Sequence, residues 1–242
     1  MVAETFTRLR YLPGSILPAD VLVNFNEMLR RLYDETLVTL EDYEVLTYAT
    51  GIPEEFVSTY PEDVAKGEKV AKKQGFAAGV TFLLTRWYPR LRRAFLSVGQ
   101  GRMARGGKDF ELQIEGLFKL ASLSYEKQEK ADHTDFMLPD AAFHTKNKTM
   151  AAVISVKRTL RERWAEVAEE LFNLRTPNVF LFTADEDVTM GHVATICAKY
   201  NIHLVVWDAV KIKKFTATPM VLSYTEWASV RLPQLRQFWP KP

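Results

Sequence analysis

The sequence predicts an α/β fold, with a helical N-terminal half followed by a central mixed β-sheet flanked by helices. The first half carries apolar residues at helical spacing, whereas the second half alternates short β-branched apolar runs with helical patterns. With 242 residues, of which 47% are apolar, the chain is long enough to bury a substantial core. We place the division between a helical N-terminal region, 1–98, and an α/β core, 99–242.

The N-terminal half is divided into helices by proline and glycine. Apolar residues spaced by three and four positions predict a helix over about 19–36, behind Pro18, which suits a first helical turn. A second helix is predicted to begin near Thr39 and to end at Gly51. Further helical segments are expected to begin at Pro53, Pro61 and Phe76.

Residues 85–123 contain both residues that disfavour helix, namely proline and glycine, and a helical pattern of apolar residues. Pro89 is expected to break or kink the preceding helix. Four glycines then predict a flexible segment, in which Gly106 and Gly107 would let backbone amides approach an anion. Helical periodicity returns over 108–123.

Four short apolar runs predict buried strands in the second half, because each is brief, rich in β-branched residues and bounded by turn signals. They are 135–138, 151–156, 178–183 and 202–207. Helical patterns at about 160–174 and 189–199 separate the later runs. This alternation of strand and helix is typical of helices packed on a sheet.

Composition excludes several classes of protein. A single cysteine, Cys197, rules out an intrachain disulfide framework and a multi-cysteine zinc site. The sequence has no apolar run long enough to cross a membrane, and its start lacks a signal pattern, so we expect a cytoplasmic protein. The net charge is only +2, so any interaction with nucleic acid must show in the distribution of charge.

Residues 86–108 hold a local excess of positive charge without any acidic residue. The basic residues are Arg86, Arg90, Arg92, Arg93, Arg102, Arg105 and Lys108. They are typical of a surface that follows a phosphate backbone. The alternative is that arginine stems cover a helix and their charged heads are merely solvated.

The ends of two predicted strands carry residues suited to phosphodiester hydrolysis. Asp135 begins one strand and Lys157 closes the next, so a carboxylate and an ammonium are expected at one edge of the sheet. A carboxylate can hold Mg²⁺, and a lysine can stabilise the attacking water or the developing charge. A second metal-binding carboxylate usually lies two residues before the lysine, where this chain has Ser155. Glu170, on the following helix, is the candidate replacement.

The assignment of Asp135 has an alternative. Pro139 precedes Asp140 in the only literal Pro-Asp pair of the region, but Asp140 falls in a turn, so we prefer Asp135.

The block 155–164, Ser-Val-Lys-Arg-Thr-Leu-Arg-Glu-Arg-Trp, resembles the motif of type II restriction endonucleases of the EcoRII, PspGI and SsoII group, in the PD-(D/E)xK superfamily. The resemblance extends over about 100–210 and includes the Asp135 strand and the spacing to Glu170. It implies a restriction-endonuclease-like fold and a Mg²⁺-dependent cleavage site formed by Asp135, Lys157 and Glu170, with Asp135 and Glu170 as the metal ligands. It also implies a further acidic group from the preceding helix, which we expect to be Glu111, although Glu115 lies on the same helix face.

The resemblance also implies that Arg161, Glu162 and Arg163 read adjacent G·C base pairs. Arginine donates to guanine O6 and N7, and glutamate accepts from the cytosine amino group. A solvated helix face with local ion pairs is the alternative for this triplet. Four further basic residues are expected to contact DNA: Arg102, Arg105, Lys108 and Arg158.

The function implied by the resemblance is cleavage of double-stranded DNA by a homodimer at a short palindrome, CCNGG or CCWGG. The cognate DNA methyltransferase is expected as a genetic partner, and the cell as bacterial or archaeal. Members of the group flip a base, for which Tyr60 or Trp87 is a candidate stacking surface. Two alternatives remain: a non-cleaving, sequence-specific DNA-binding protein of the same fold, and a nuclease that recognises DNA structure.

Overall fold

The structure, a computed structural model, describes residues 1–127, 134–160, 169, 171–172 and 176–240, without the side chains of 99 and 101–105. The chain forms two compact units, of which the first comprises 1–36 with 106–242 and the second comprises 37–105. This division differs from the predicted boundary after residue 98. The reason is that the apolar faces of 1–36 pack into the same core as the sheet, with Phe25, Leu29 and Leu32 fully buried there.

The N-terminal half is helical, as predicted. The helices are α1 (Val2–Arg8), α2 (Pro18–Val23), α3 (Phe25–Leu46), α4 (Ile52–Thr59), α5 (Pro61–Gln74) and α6 (Phe76–Leu120), and a π-helical segment, Thr47–Gly51, joins α3 to α4. Helix α3 continues through Thr39, so the separate second helix predicted there is wrong.

Helix α6 is continuous over 45 residues, including Pro89 and the four glycines between 99 and 107. The helix is therefore not broken at Pro89, and the predicted flexible segment is wrong. The Gly106 backbone lies close to the Arg158 guanidinium, whose flexible end would have to shift if a Cβ were present. The helical backbone also uses the amides of Gly106 and Gly107 internally, which removes the predicted anion-binding turn.

The second unit has a small core of its own, formed by Ile52, Phe56 and Trp87. Trp87 is only 7% exposed, and its indole N–H donates to the Asp63 carboxylate at 3.3 Å. Asp63 also pairs with Arg86. Within this unit, the tryptophan thus has a structural role.

The first unit contains a six-stranded sheet in the order β1-β2-β3-β4-β5-β6. The strands are β1 (Glu126–Lys127), β2 (Phe136–Leu138), β3 (Ala152–Lys157), β4 (Val179–Thr183), β5 (His203–Val206) and β6 (Val221–Ser223). Strands β1 to β3 pair antiparallel, and β3 to β6 pair parallel. The four predicted strands and the mixed sheet are confirmed, whereas β1 and β6 are too short to be predicted from periodicity.

Helices flank this sheet. They are α7 (Ala141–Lys146), α8 (Met190–Val193), α9 (Asp208–Lys214), α10 (Tyr224–Glu226) and α11 (Leu232–Arg236), with π-helical segments Ala194–Lys199 after α8 and Trp227–Arg231 after α10. The predicted helix over 189–199 is confirmed. In the predicted helix over 160–174, the described positions beyond Leu160 are 169, 171 and 172, and they are helical.

The central strands are buried on both faces, which explains their mostly apolar sequences. Every residue of β4 is buried, and so are the first five of the six residues of β3. Aromatic rings fill the space between sheet and helices, with Trp227 against Phe182 at 4.8 Å and Phe118 against Phe136 at 5.4 Å between ring centroids. In the described part of the chain, no helix has the length and apolarity that crossing a membrane requires.

Candidate active site

Asp135 and Lys157 meet at one edge of the sheet. The Lys157 ammonium lies 3.9 Å from Asp135 Oδ2, and the two side chains are 32% and 21% exposed. Asp135 immediately precedes β2 and Lys157 is the last residue of β3. Because these strands are antiparallel, the start of one lies beside the end of the other. The pair predicted from the strand ends is therefore brought together.

The backbone holds the Asp135 carboxylate in a fixed orientation. Val156 N–H donates to Asp135 Oδ2 at 2.6 Å, and the Ser155 hydroxyl makes a longer contact of 3.4 Å to the same oxygen. The Asp135 amide in turn donates to the Ile154 carbonyl. Ser155, which replaces the expected acidic residue, is thus a buried neighbour of the carboxylate.

Burial raises the pKa of Asp135 above its ordinary value. The positive charge of Lys157 and the hydrogen bond from Val156 act in the opposite direction, while the negative charge of Glu111 adds to the increase. The folded protein therefore bears an electrostatic cost for keeping this carboxylate ionised at neutral pH, and a bound cation would relieve that cost.

We expect Asp135→Asn to raise the melting temperature by about 2–4 °C at pH 7, the shift that roughly 1 kcal/mol produces in a chain of this size. The amide removes the charge but keeps an oxygen for Val156 N–H. Because the folded-state pKa of Asp135 is raised, the gain should shrink as the pH falls through that pKa and wild type itself becomes protonated. Thermal unfolding at pH 7 and pH 4, without divalent cations, measures it. A lower melting temperature at pH 7 would contradict this account.

Helix α6 brings two further carboxylates to this edge. Glu111 is close enough to Asp135 for its charge to raise the pKa of Asp135. Glu111 also pairs with Lys108, at 3.0 Å, and with Lys127 of β1, at 2.9 Å. Among the described residues, this electrostatic link to Asp135 favours Glu111 over Glu115 as the additional acidic group.

Glu115 is the centre of an ionic cluster instead. Its carboxylate accepts from Lys119 at 2.8 Å, Lys127 at 2.7 Å and the Tyr125 hydroxyl at 3.1 Å. Burial alone would raise the pKa of Glu115, but these hydrogen bonds outweigh burial and bring the pKa to about 2. Burial would lower the pKa of Lys127, but the hydrogen bonds to Glu115 and Glu111 raise it. Glu115 thus stabilises the edge of the sheet.

We expect Glu115→Gln to lower the free energy of unfolding by about 1–3 kcal/mol at pH 7, because the partly buried Lys127 and Tyr125 lose a charged acceptor. The pKa of Glu115 is depressed by folding, so its contribution is present above the ordinary value of 4.5 and is lost as the pH falls towards about 2. Urea unfolding at pH 7 and pH 4 tests this. Glu35→Gln, in an exposed pair with Arg8, is the control and should change little. A pH-independent loss would contradict the assignment.

Several predicted residues lie outside the described part of the chain. They are Arg161, Glu162, Arg163 and Glu170. For Arg102 and Arg105 the side chains are likewise outside it. Their roles remain predictions.

Two other residues predicted to contact DNA have protein partners. Lys108 is half exposed and pairs with Glu111. The Arg158 guanidinium donates to the Tyr33 hydroxyl at 3.3 Å and lies over the Tyr33 ring, 5.8 Å from its centroid. Arg158 therefore packs between α3 and Gly106 of α6, which limits its freedom to follow a phosphate.

The alternatives considered from the sequence have structural roles of their own. Asp140 follows a cis peptide bond between Leu138 and Pro139, and its carboxylate caps α7 by accepting from Phe143 N–H at 2.7 Å. In the second unit, Tyr60 is covered by Arg90, whose guanidinium lies 4.6 Å from the ring centroid. Asp140 sits beyond the end of β2 opposite to Asp135.

Two residues near the site were not singled out from the sequence. Lys127 belongs to a two-residue strand without periodicity. Asp185 follows β4, and its carboxylate accepts from Leu160 N–H at 2.8 Å, directly before Arg161 in the chain. Its only sequence signal is a polar residue after a buried strand, a position from which a carboxylate often caps the next segment.

The described residues fit part of a site for a hard divalent cation. Among the described residues, the contacts of the Asp135 carboxylate go to Oδ2, which leaves Oδ1 within these ranges as an oxygen donor of the type that Mg²⁺ prefers. Within the described ranges, no three residues of the types His, Cys, Asp and Glu form a group that could hold a metal ion. Asp135 thus needs ligands from elsewhere, from water or from a bound phosphate.

Comparison with known families gives an independent result. Residues 90–223, more than half of the chain, match the family model described as EcoRII C terminal. The type II restriction enzyme SsoII of Shigella sonnei is 31% identical over 131 residues, which are 50% of this chain and 42% of SsoII. The match thus spans less than half of that relative's length.

Solved structures share the fold. A metal-depleted Ecl18kI in complex with uncleaved DNA superposes with a TM-score of 0.80 at 23% identity, over 100% of this chain and 79% of that one. A complex of the restriction endonuclease PspGI with substrate DNA gives a TM-score of 0.60 at 17% identity, over 98% of this chain and 90% of that one. These similarities show a restriction-endonuclease-like fold.

Proposed function

This chain belongs to the EcoRII C-terminal family, and from that membership we propose that it is a Mg²⁺-dependent type II restriction endonuclease. It cleaves double-stranded DNA at a palindrome with CC and GG ends, CCNGG or CCWGG, leaving a 5′-phosphate and a 3′-hydroxyl. The observation that carries the proposal is the Asp135–Lys157 pair at the sheet edge, 3.9 Å apart. The similarity to SsoII and to restriction endonucleases solved with DNA supports it.

Asp135 and Glu170 are proposed as the residues that hold Mg²⁺, with Glu111 as an additional acidic group. When bound, Mg²⁺ would neutralise charge at the scissile phosphate and make a coordinated water more acidic. Lys157 is proposed to donate a hydrogen bond to the attacking water or to a non-bridging phosphate oxygen. The hydrogen bond from Val156 N–H fixes the orientation of the Asp135 carboxylate before DNA binds.

Sequence readout is assigned to Arg161, Glu162 and Arg163. The two guanidinium groups suit guanine, and the carboxylate suits the amino groups of the paired cytosines. Asp185 supports this assignment, because it fixes the backbone at Leu160, one residue before the triplet. Arg102, Arg105, Lys108 and Arg158 are proposed to add contacts to the DNA.

A palindromic target requires two copies of this reading surface related by a two-fold axis. We therefore propose a homodimer in which each subunit reads one half of the site, with dimerisation and DNA contact as the roles of the helical region 1–98. A methyltransferase that modifies the same sequence is the proposed genetic partner, since host DNA would otherwise be cut.

Digestion of a plasmid of known sequence with Mg²⁺, followed by run-off sequencing of the ends, tests activity, specificity and cut position together. We expect cuts at CCNGG or CCWGG sites only. Specific binding without strand scission under any divalent cation would favour a non-cleaving DNA-binding protein. Cuts set by junctions or flaps rather than by sequence would favour a structure-specific nuclease.

A further inference from the structure

The ammonium of Lys127 lies between two carboxylates of α6. Its Nζ is 2.9 Å from Glu111 Oε1 and 2.7 Å from Glu115 Oε2. The three side chains are 23%, 14% and 12% exposed, respectively. An ion pair this well covered is held more firmly than a surface pair, because water screens it less.

The sheet fixes the position of Lys127. Strand β1 pairs antiparallel with β2 so that Lys127 lies directly opposite Phe136, the residue that follows Asp135. The ammonium is also 5.8 Å from the centroid of the Phe136 ring. Lys127 thus reaches Glu111 from the strand next to the one that Asp135 begins.

Glu111 is engaged on both of its oxygens. Lys108 Nζ lies 3.0 Å from Oε1 and 3.1 Å from Oε2, and Lys127 shares Oε1. The negative charges of Glu111 and Asp135 repel each other, an effect smaller than that of burial on the Asp135 carboxylate. The two lysines offset this repulsion within the protein itself.

We propose that Lys127, assisted by Lys108, is a positioning residue that holds Glu111 beside Asp135 and competes with the divalent cation for the Glu111 carboxylate. This inference rests on the proposed function, because it concerns the same cleavage site. A carboxylate whose lone pairs accept from two ammonium groups offers fewer of them to a metal. A positive charge a few ångströms away also disfavours a second cation electrostatically.

Removal of one ammonium should therefore tighten cation binding. In calorimetric titration of the folded protein with Ca²⁺, without DNA, we expect Lys127→Gln to bind Ca²⁺ about tenfold more tightly than wild type. Lys127→Arg keeps the charge and should bind like wild type. Lys119→Gln is the matched control: it removes an ammonium from Glu115 without touching Glu111, and the affinity should change less than twofold.

A second substitution identifies where the ion binds. In the double variant Lys127→Gln, Asp135→Asn, the gain in affinity should disappear, because Asp135 supplies the other carboxylate. If Lys127→Gln does not fold, Lys108→Gln, whose side chain is half exposed, tests the same competition and should also tighten Ca²⁺ binding. Affinity that is unchanged or weaker in the folded variants, or a gain that persists without Asp135, would overturn the inference.

This result is separable from the proposed function. The titration contains no DNA, so a wild-type protein that leaves plasmid DNA intact would contradict only the cleavage assignment. Conversely, a wild type that cuts at CC…GG sites, together with a Lys127→Gln variant of unchanged Ca²⁺ affinity, would contradict only the role of Lys127.

Discussion

Lys157→Ala is expected to lower the rate of DNA cleavage by about 10²–10³-fold while leaving specific binding within a fewfold of wild type. Removal of one preorganised charge that stabilises a developing negative charge has an effect of this size. Lys157 lies 3.9 Å from Asp135 and is one-third exposed, so its ammonium is accessible to a phosphate. Truncation leaves no buried unpaired partner, because Val156 N–H still anchors the carboxylate.

Cleavage with Mg²⁺ and gel shift with Ca²⁺ separate the two effects. Lys146→Ala, an exposed lysine at the end of α7, is a matched control and should cut like wild type. Lys157→Arg should restore little activity, because a planar guanidinium differs from a compact ammonium in shape and hydration. Full cutting by Lys157→Ala would contradict the role assigned to this residue.

The sheet and the Asp135–Lys157 pair were predictable because both depend on strong local signals. Strands buried on both faces are mostly apolar, as β3 is apart from the buried Ser155 and β4 is up to Thr183, so the charged residues at strand ends stand out. Asp135 and Lys157 occupy such ends, and pairing of adjacent strands then brings them to one edge.

The errors arose where distant contacts override local preference. Proline and glycine disfavour an isolated helix, yet α6 continues through Pro89 and Gly106, because its later residues Phe110, Ile114 and Phe118 pack into the core. Likewise, residues 1–36 are buried against the sheet because their apolar faces contact residues far away in sequence. Periodicity predicts that these faces are buried but not which part of the chain covers them.

Lys127 was missed for a related reason. Its strand has two residues and its acidic partners lie on α6, 12 and 16 positions earlier. Sequence spacing does not predict which helix face a short edge strand will contact. The ion pair between Lys127 and Glu111 is therefore seen only once β1 is paired with β2.

The readout triplet gives the second large expected effect, in specificity rather than in rate. Arg161→Ala should reduce the preference for the cognate site over a site with one substituted G·C pair by roughly 5- to 150-fold, equivalent to about 1–3 kcal/mol. The loss should be confined to the base pair that Arg161 contacts, since a bidentate contact to guanine O6 and N7 carries information about that pair alone.

A basic residue that contacts only phosphate should behave differently. Arg92→Ala, an exposed residue in the basic segment, should weaken binding to cognate and substituted sites equally, or leave both unchanged. Competition binding in Ca²⁺, with the cognate duplex against single-pair variants, distinguishes these patterns. If Arg161→Ala keeps the full preference of wild type, the triplet is a solvated helix face with local ion pairs, and specificity must come from DNA shape or from other residues.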